Sequence, residues 1–307
     1  MTRLSARTAM LMTVPPLLWA GNAVVGRLAV GSVPPLTLNF LRWLLATLIL
    51  LPLGWRALRE PRAIAARWRH LMLLGLLAVS TYNALQYLAL VTSTPINVTL
   101  IAASMPVWML AVGALFPGVH PTRRQFAGAA LSMAGVLLVI ARGEAAALAR
   151  VRFVAGDVYI LVAIVAWSFY SWMLARPPES MRAPQRPNWG WAEFLLIQSG
   201  FGLIGAGAAA AGELALGAAP VQWNGWTIAA LLYVAIGPSV IAYRCWGAGV
   251  MRGGPALAAF FGNLTPVFAA LMSAAVLGEA PKAYHAVAFA LIVAGIVVSS
   301  GWRVRVT

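Results

Sequence analysis

Apolar residues fill ten stretches of this chain, at 8–30, 35–55, 71–92, 95–116, 125–142, 155–175, 192–211, 226–249, 255–277 and 283–301. Each has the length, about 17–25 residues, at which an α-helix crosses the hydrocarbon core of a bilayer. Pro34-Pro35, Pro117-Gly118, Pro177-Pro178 and Gly253-Gly254 punctuate the gaps with turn formers. The pattern predicts an all-α integral membrane protein with ten transmembrane helices. Arg3 and Arg7 precede the first run. It is longer than the apolar core of a signal peptide and lacks a convincing cleavage site, so it reads as an uncleaved helix.

The end of the chain repeats its middle. Pro95, Pro106, Gly118, Pro121, Ala134 and Gly135 recur as Pro255, Pro266, Gly278, Pro281, Ala294 and Gly295, each pair 160 residues apart. Trp19 and Trp167 form an earlier pair at a spacing of 148. The chain therefore divides into a first repeat, 1–148, and a second, 149–307, of five helices each. Duplicated bundles with proline-broken helices are the usual layout of secondary transporters.

Composition agrees: 62% of residues are hydrophobic and 9% charged, against about 25% charged in a soluble domain. The net charge of +15 lies in loops between apolar runs, which points to topology rather than nucleic acid. With the N-terminus placed in the cytoplasm, fifteen arginines fall on the cytoplasmic side, while the outer loops receive only Arg142, Arg150, Arg152 and Lys282. This positive-inside bias puts both termini in the cytoplasm. Five helices per half then force the second repeat to insert upside down.

Trp55, Trp68, Trp189, Trp191, Trp223, Trp226 and Trp302 fall near helix ends and read as interfacial anchors. Arg27 and Arg42 lie toward the outer ends of the first two helices and are expected to snorkel to headgroups, with recognition of a carboxylate as the other reading. Arg244 is expected to snorkel inward. The lone Cys245 excludes an intramolecular disulfide, and His70, His120 and His285 stand in separate loops, so no metal site or cofactor is expected. Motifs of zinc proteases, phosphate-binding loops and serine hydrolases are absent, which argues against an enzyme. No carboxylate falls at a bilayer centre. Asp157 reads as an interfacial acid at a helix start and is the alternative proton-coupling group.

Membrane-depth polarity is mostly uncharged or aromatic. Trp19 and Asn22 lie in the first helix. Tyr82, Asn83, Gln86 and Tyr87 crowd the third, with Tyr82/Gln86 and Asn83/Tyr87 sharing faces at a spacing of four. Trp167, Tyr170 and Ser171 form one stripe of the sixth helix; Ser239, Tyr243 and Trp246 form one of the eighth. Asn263 precedes Pro266 in the ninth. The functional reading is a wet, aromatic-lined cavity for amphipathic solutes; the structural one is glue between helices. Pro106 and Pro266 break the fourth and ninth helices. They strip the carbonyls of Ala102 and Gly262 of helical partners, either to accept from a substrate ammonium or to bend the helices. Pro238, beside Gly237, is a candidate gating hinge. The small-residue stripe Gly128, Ser132 and Gly135 packs within the fold or against another copy, so the oligomeric state stays open.

"LLWAGNAVVGRLAV", "MPVWMLAVGALFPGVHPTRRQFAGAALSMAGVLLV" and "LTPVFAALMSAAVLGEAPKAYHAVAFALIVAGIVV" resemble the first, the fourth–fifth and the ninth–tenth helices of the drug/metabolite transporter superfamily, EamA type. Val119 replaces the acidic position that Glu279 fills in the second half, a departure from a symmetric acidic pair. Trp19 and the "AWSFY" around Trp167 resemble the bacterial amino-acid exporters, including the aromatic amino-acid and methyl viologen type. The resemblance implies a bacterial inner-membrane location and a central cavity lined by the first, third, fourth, sixth, eighth and ninth helices. It also implies export of amino acids and related small amphipathic solutes by alternating access. A proton-coupled antiporter for cationic compounds, and a non-transporting channel or assembly protein, are the alternatives.

Overall fold

The computed structural model describes residues 5–29, 31–93, 95–141, 143–144, 152, 154–277 and 283–300, and these contain helices and no strand. In chain order the helices are α1 (Ala6–Ala29), α2 (Pro35–Gly54), α3 (Trp68–Thr92), α4 (Pro95–Ala102 and Met105–Leu115) and α5 (Arg123–Ile140). The second half supplies α6 (Ala155–Ala175), α7 (Trp191–Ala215), α8 (Gly225–Gly253), α9 (Pro255–Gly262 and Thr265–Leu277) and α10 (Ala283–Ser300). Nine described segments are long and apolar enough to span a membrane, and Met105–Leu115 of α4 is a shorter apolar helix. Apart from short helical segments at Trp55–Arg59, Pro61–Ala65 and Glu179–Met181, the described residues thus form an all-α, multi-pass membrane protein of ten helices. Gly278, Glu279, Pro281, Lys282, Arg142, Arg150, Trp302, the 148–149 boundary and the Arg27 side chain lie outside what is described.

Local chemistry sets the helix starts. Thr122 and Gln125 form a reciprocal capping box that opens α5, and Asn224 caps α8 through the Thr227 amide at 2.8 Å. Gly254, at φ +86°, makes the turn into α9 in a backbone region that other residues resist. Both proline-broken helices break two residues ahead of the proline, at Ala103–Ser104 and at Asn263–Leu264.

The two repeats meet reciprocally. A methyl group on Gly128 would stand 2.6 Å from the Gly295 carbonyl oxygen, and one on Gly135 would stand 2.7 Å from that of Ala288. Residues 295 and 288 are the 160-shifted equivalents of 135 and 128. Each partner thus meets the other's equivalent, as a two-fold relation requires, and the order shows that α5 and α10 run antiparallel. The second repeat is inverted relative to the first. The small-residue stripe of α5 is therefore used inside the fold, where the backbones approach closely.

Helices α3 and α8 share a second irregularity. Their middles, Leu76–Tyr82 and Ala235–Ile241, widen into π-type turns at equivalent places in the two repeats. In α8 the wide turn accommodates Pro238, which has no N–H to donate. In α3 the Asn83 side chain donates to the Ala78 carbonyl at 2.6 Å. Trp55, Trp68, Trp191, Trp223 and Trp226 are exposed near helix ends, as expected of anchors, whereas Trp189 is buried.

Candidate substrate pathway

The predicted aromatic residues converge on one packed layer. Trp167 sits at its centre, with ring centroids 4.7 Å from Tyr82, 4.9 Å from Tyr170, 5.2 Å from Tyr243 and 5.3 Å from both Trp19 and Trp246. These edge-on and tilted arrangements are the ones ring quadrupoles favour. The Trp19 indole donates to the Pro238 carbonyl at 3.2 Å, and that of Trp246 to Ser171 Oγ at 3.1 Å. Trp19 and Trp167 occupy matching positions of the repeats, and so do Asn83 and Tyr243. Equivalent residues that touch lie beside the pseudo-two-fold axis, so this layer sits at the seam of the inverted halves. In place of a wet cavity, the rings close on one another.

Beside the layer lies a polar group whose members the sequence names singly but does not bring together. Arg42, expected at the headgroups, is wholly buried. Its Nε donates to Ser239 Oγ at 2.6 Å. Its Nη1 donates to Asn83 Oδ1 at 2.9 Å and to Tyr87 Oη at 3.0 Å, with Asn22 Oδ1 at 3.4 Å. Tyr87 in turn donates to Asn22 Oδ1 at 2.9 Å. Asn83 Nδ2 donates to Tyr243 Oη at 2.8 Å, and Tyr243 to the Ala78 carbonyl in the wide turn of α3, also at 2.8 Å. The guanidinium stands 5.7 Å from the Trp43 ring centroid. Snorkelling fails because Arg42 faces the bundle and not lipid: its Nε reaches the wide turn of α8. Burying such a cation costs on the order of several kcal/mol, offset only in part by neutral oxygens.

Two cavities enter the bundle from opposite ends. The larger, about 550 Å³, is lined by Arg7, His70, Arg186, Trp189, Arg244 and Arg252 among others, with Tyr170, Tyr243 and Gln198 at its inner end. The smaller, about 230 Å³, lies among Gly26, Ser32, Leu38, Tyr87, Glu213 and neighbours. Leu195 lines one and Glu213 the other, roughly 27 Å apart along α7 at the helical rise. Of the residues singled out in sequence, Tyr170 and Tyr243 face the larger cavity and Tyr87 the smaller. Trp19, Asn22, Tyr82, Asn83, Trp167, Trp246 and Asn263 line neither. Helix α7 contributes to the larger cavity and α4 and α9 do not, which departs from the lining the resemblance implied. Trp189, read as an anchor, lines that cavity, and Arg244 stacks 4.4 Å over Trp191 at its rim.

Asn263 bonds away from the rings, donating to Ser132 Oγ at 2.8 Å and weakly to the Ala103 carbonyl at 3.4 Å. The Gly262 carbonyl, which Pro266 deprives of its helical partner, accepts from the Thr265 hydroxyl at 2.7 Å. Pro106 is buried and Pro266 half-buried, and neither lines a cavity. Asp157 is buried at the start of α6, where it accepts from Ser93, from Asn97 at 2.8 Å and from the Val154 amide at 2.7 Å. That is a capping geometry.

Comparison with known proteins gives a consistent result. The model of the EamA-like transporter family matches twice, at residues 6–141 and 154–301. A protein of Archaeoglobus fulgidus named as an uncharacterized transporter is 27% identical over 295 residues, 95% of this chain and 97% of its own. The aromatic amino acid exporter YddG of Ancylobacter novellus is 27% identical over 92% of this chain and 93% of its own. The uncharacterized inner membrane transporter YedA of Escherichia coli is 26% identical over 92% of this chain and 86% of its own. One solved crystal structure shares the fold at a TM-score of 0.73 and 24% identity, over 96% of each chain. Matched along both halves, and built as two reciprocal five-helix repeats, this chain belongs to the EamA-like transporter family.

Proposed function

We propose that this transporter exports amino acids, broadly and including aromatic and apolar ones, with related small amphipathic solutes, across a bacterial inner membrane by alternating access. One observation carries the reading: two cavities enter from opposite ends of the bundle, the larger ending at Tyr170 and Tyr243 of the aromatic layer and the smaller at Tyr87, which Arg42 and Asn83 join to Tyr243 by hydrogen bonds. Rocking of the inverted halves about their seam would expose the layer to each side in turn. The larger cavity opens among basic loops, which the positive-inside rule assigns to the cytoplasm together with both termini. Aromatic faces suit apolar and aromatic side chains. The Ancylobacter novellus relative is named an aromatic amino acid exporter, which supports the same substrate class and direction.

The test is flux of radiolabelled amino acids into proteoliposomes, with and without a pH gradient. L-phenylalanine and L-tryptophan are expected to move faster than into protein-free vesicles under both conditions. Absence of substrate-dependent flux across a broad amino-acid panel would overturn the proposal, and flux that requires the gradient would select the proton-coupled antiporter instead.

A further inference from the structure

We propose that Arg42 is the carboxylate-recognising residue of this transporter, reached from one side past Tyr243 and from the other past Tyr87. The inference rests on the transport reading and names the chemical class of the substrate: an organic monoanion or zwitterion whose carboxylate docks on the guanidinium.

Four observations converge. First, Arg42 is fully buried, and every one of its described hydrogen-bond partners is neutral: Ser239, Asn83, Tyr87 and Asn22. An ionisable group within a membrane bundle is expected to pair with an opposite charge or to mark a substrate path. Second, its Nη2 has no hydrogen-bond partner, and neither do the buried indole N–H groups of Trp167 and of Trp43, whose ring centroid stands 4.7 Å from that of Tyr243. Three buried donors without acceptors call for a ligand rich in acceptors, and an ionised carboxylate is acceptor-only. Third, Arg42 is the hub of a hydrogen-bonded chain that joins the two cavities. Tyr243 ends the larger cavity and bonds Asn83, Asn83 accepts from Arg42, and Arg42 donates to Tyr87, which lines the smaller. Displacing either tyrosine exposes the same guanidinium to one side only, which is what a site shared by two gates requires. Fourth, among the described residues Arg7, Arg186, Arg244 and Arg252 line the larger cavity and no carboxylate does. A cleft of one sign concentrates the opposite charge.

Charge balance favours a carboxylate over a phosphate. One guanidinium among neutral groups offsets one negative charge, and a dianion would leave the second buried and unpaired. The aromatic faces next to Arg42 take the remainder of the molecule.

The experiment pairs competition with direct binding on the full-length protein. In proteoliposomes, 3-phenylpropionate and L-phenylalanine are expected to inhibit L-phenylalanine counterflow at concentrations about tenfold or more below phenylalaninamide and phenethylamine, which lack the carboxylate. Binding of 3-phenylpropionate to purified protein, followed by tryptophan fluorescence, is expected to vanish in Arg42→Gln and to weaken in Arg42→Lys, which keeps the charge but not the fork. Equal competition by phenethylamine, or carboxylate binding unchanged in Arg42→Gln, overturns the assignment and leaves the transport reading intact. Loss of all flux with carboxylate binding preserved in the wild type, and abolished in Arg42→Gln, overturns the transport reading and keeps the site. The comparison of carboxylate with amide in the wild type needs no variant to fold, and failure of the wild type to bind any carboxylate overturns the inference.

Discussion

Glu213 reaches from the end of α7 to the first turn of α2, where its carboxylate accepts from the Leu36 amide at 3.0 Å, the Thr37 amide at 2.7 Å and Thr37 Oγ1 at 2.8 Å. It supplies from another helix the cap that Pro34 and Pro35 cannot give α2. A negative charge at a helix N-terminus is favourable in its own right. We expect Glu213→Ala to destabilise the protein by about 1–2 kcal/mol and Glu213→Gln by less, read as thermal unfolding in detergent; an unchanged midpoint for Glu213→Ala would remove the cap from the account. Five residues beyond Thr37 in α2, Arg42 is buried while the more exposed residues around it, Leu41, Leu44, Leu45 and Leu48, are apolar. Its residue type and depth were visible in the sequence. Its direction was not, because snorkelling and burial place an arginine at the same sequence depth and differ only in the helix face. The same limit explains Trp189, whose nearness to a helix end suggested an anchor before the fold made it a cavity wall.

Among the elements, the α5–α10 crossing depends on the absence of side chains. A β-carbon on Gly295 would stand 2.7 Å from the Gly128 carbonyl oxygen, so the two backbones would have to part. Gly295→Leu is expected to cost about 1–3 kcal/mol by overpacking, with a fall in the yield of folded protein on size exclusion; wild-type behaviour would show the crossing to be loose. The wide turns of α3 and α8 are the elements in which a hinge is most naturally sought, since the first contributes the Ala78 carbonyl and the second the Ser239 hydroxyl to the Arg42 network. Proline positions foretold the breaks of α4 and α9 and the irregular turn of α8. Nothing in the pattern foretold the wide turn of α3, which contains no proline and is held by Asn83 and Tyr243 from outside the local backbone. If α9 bends at its break during transport, Pro266→Ala slows flux while substrate binding changes little. Unchanged flux in that variant would reduce the break to static shape.

For the molecule as a whole, alternating access predicts opposite responses at the two ends. In a Cys245→Ala background, a cysteine at Met251 samples the larger cavity and one at Ser32 the smaller. A membrane-impermeant maleimide is expected to label Met251→Cys only from the cytoplasmic side and Ser32→Cys only from the other. Saturating L-phenylalanine should shift the two rates in opposite directions. Labelling of both from one face would contradict the proposed topology, and parallel shifts would contradict rocking about a shared site. The sequence by itself determined the solvent, the number of helices, the duplication and its inversion, because these follow from run length, spacing and the side on which loop charge falls. It also named the aromatic and amide residues that gather at the seam, since spacing reveals which residues share a helix face. Only the tertiary structure decided that the rings close into a layer, that α7 walls the larger cavity and that Arg42 lies at the centre of the polar network. Those outcomes depend on which faces of distant helices meet, and packing, unlike periodicity, is a property of pairs of segments that no single stretch of sequence contains.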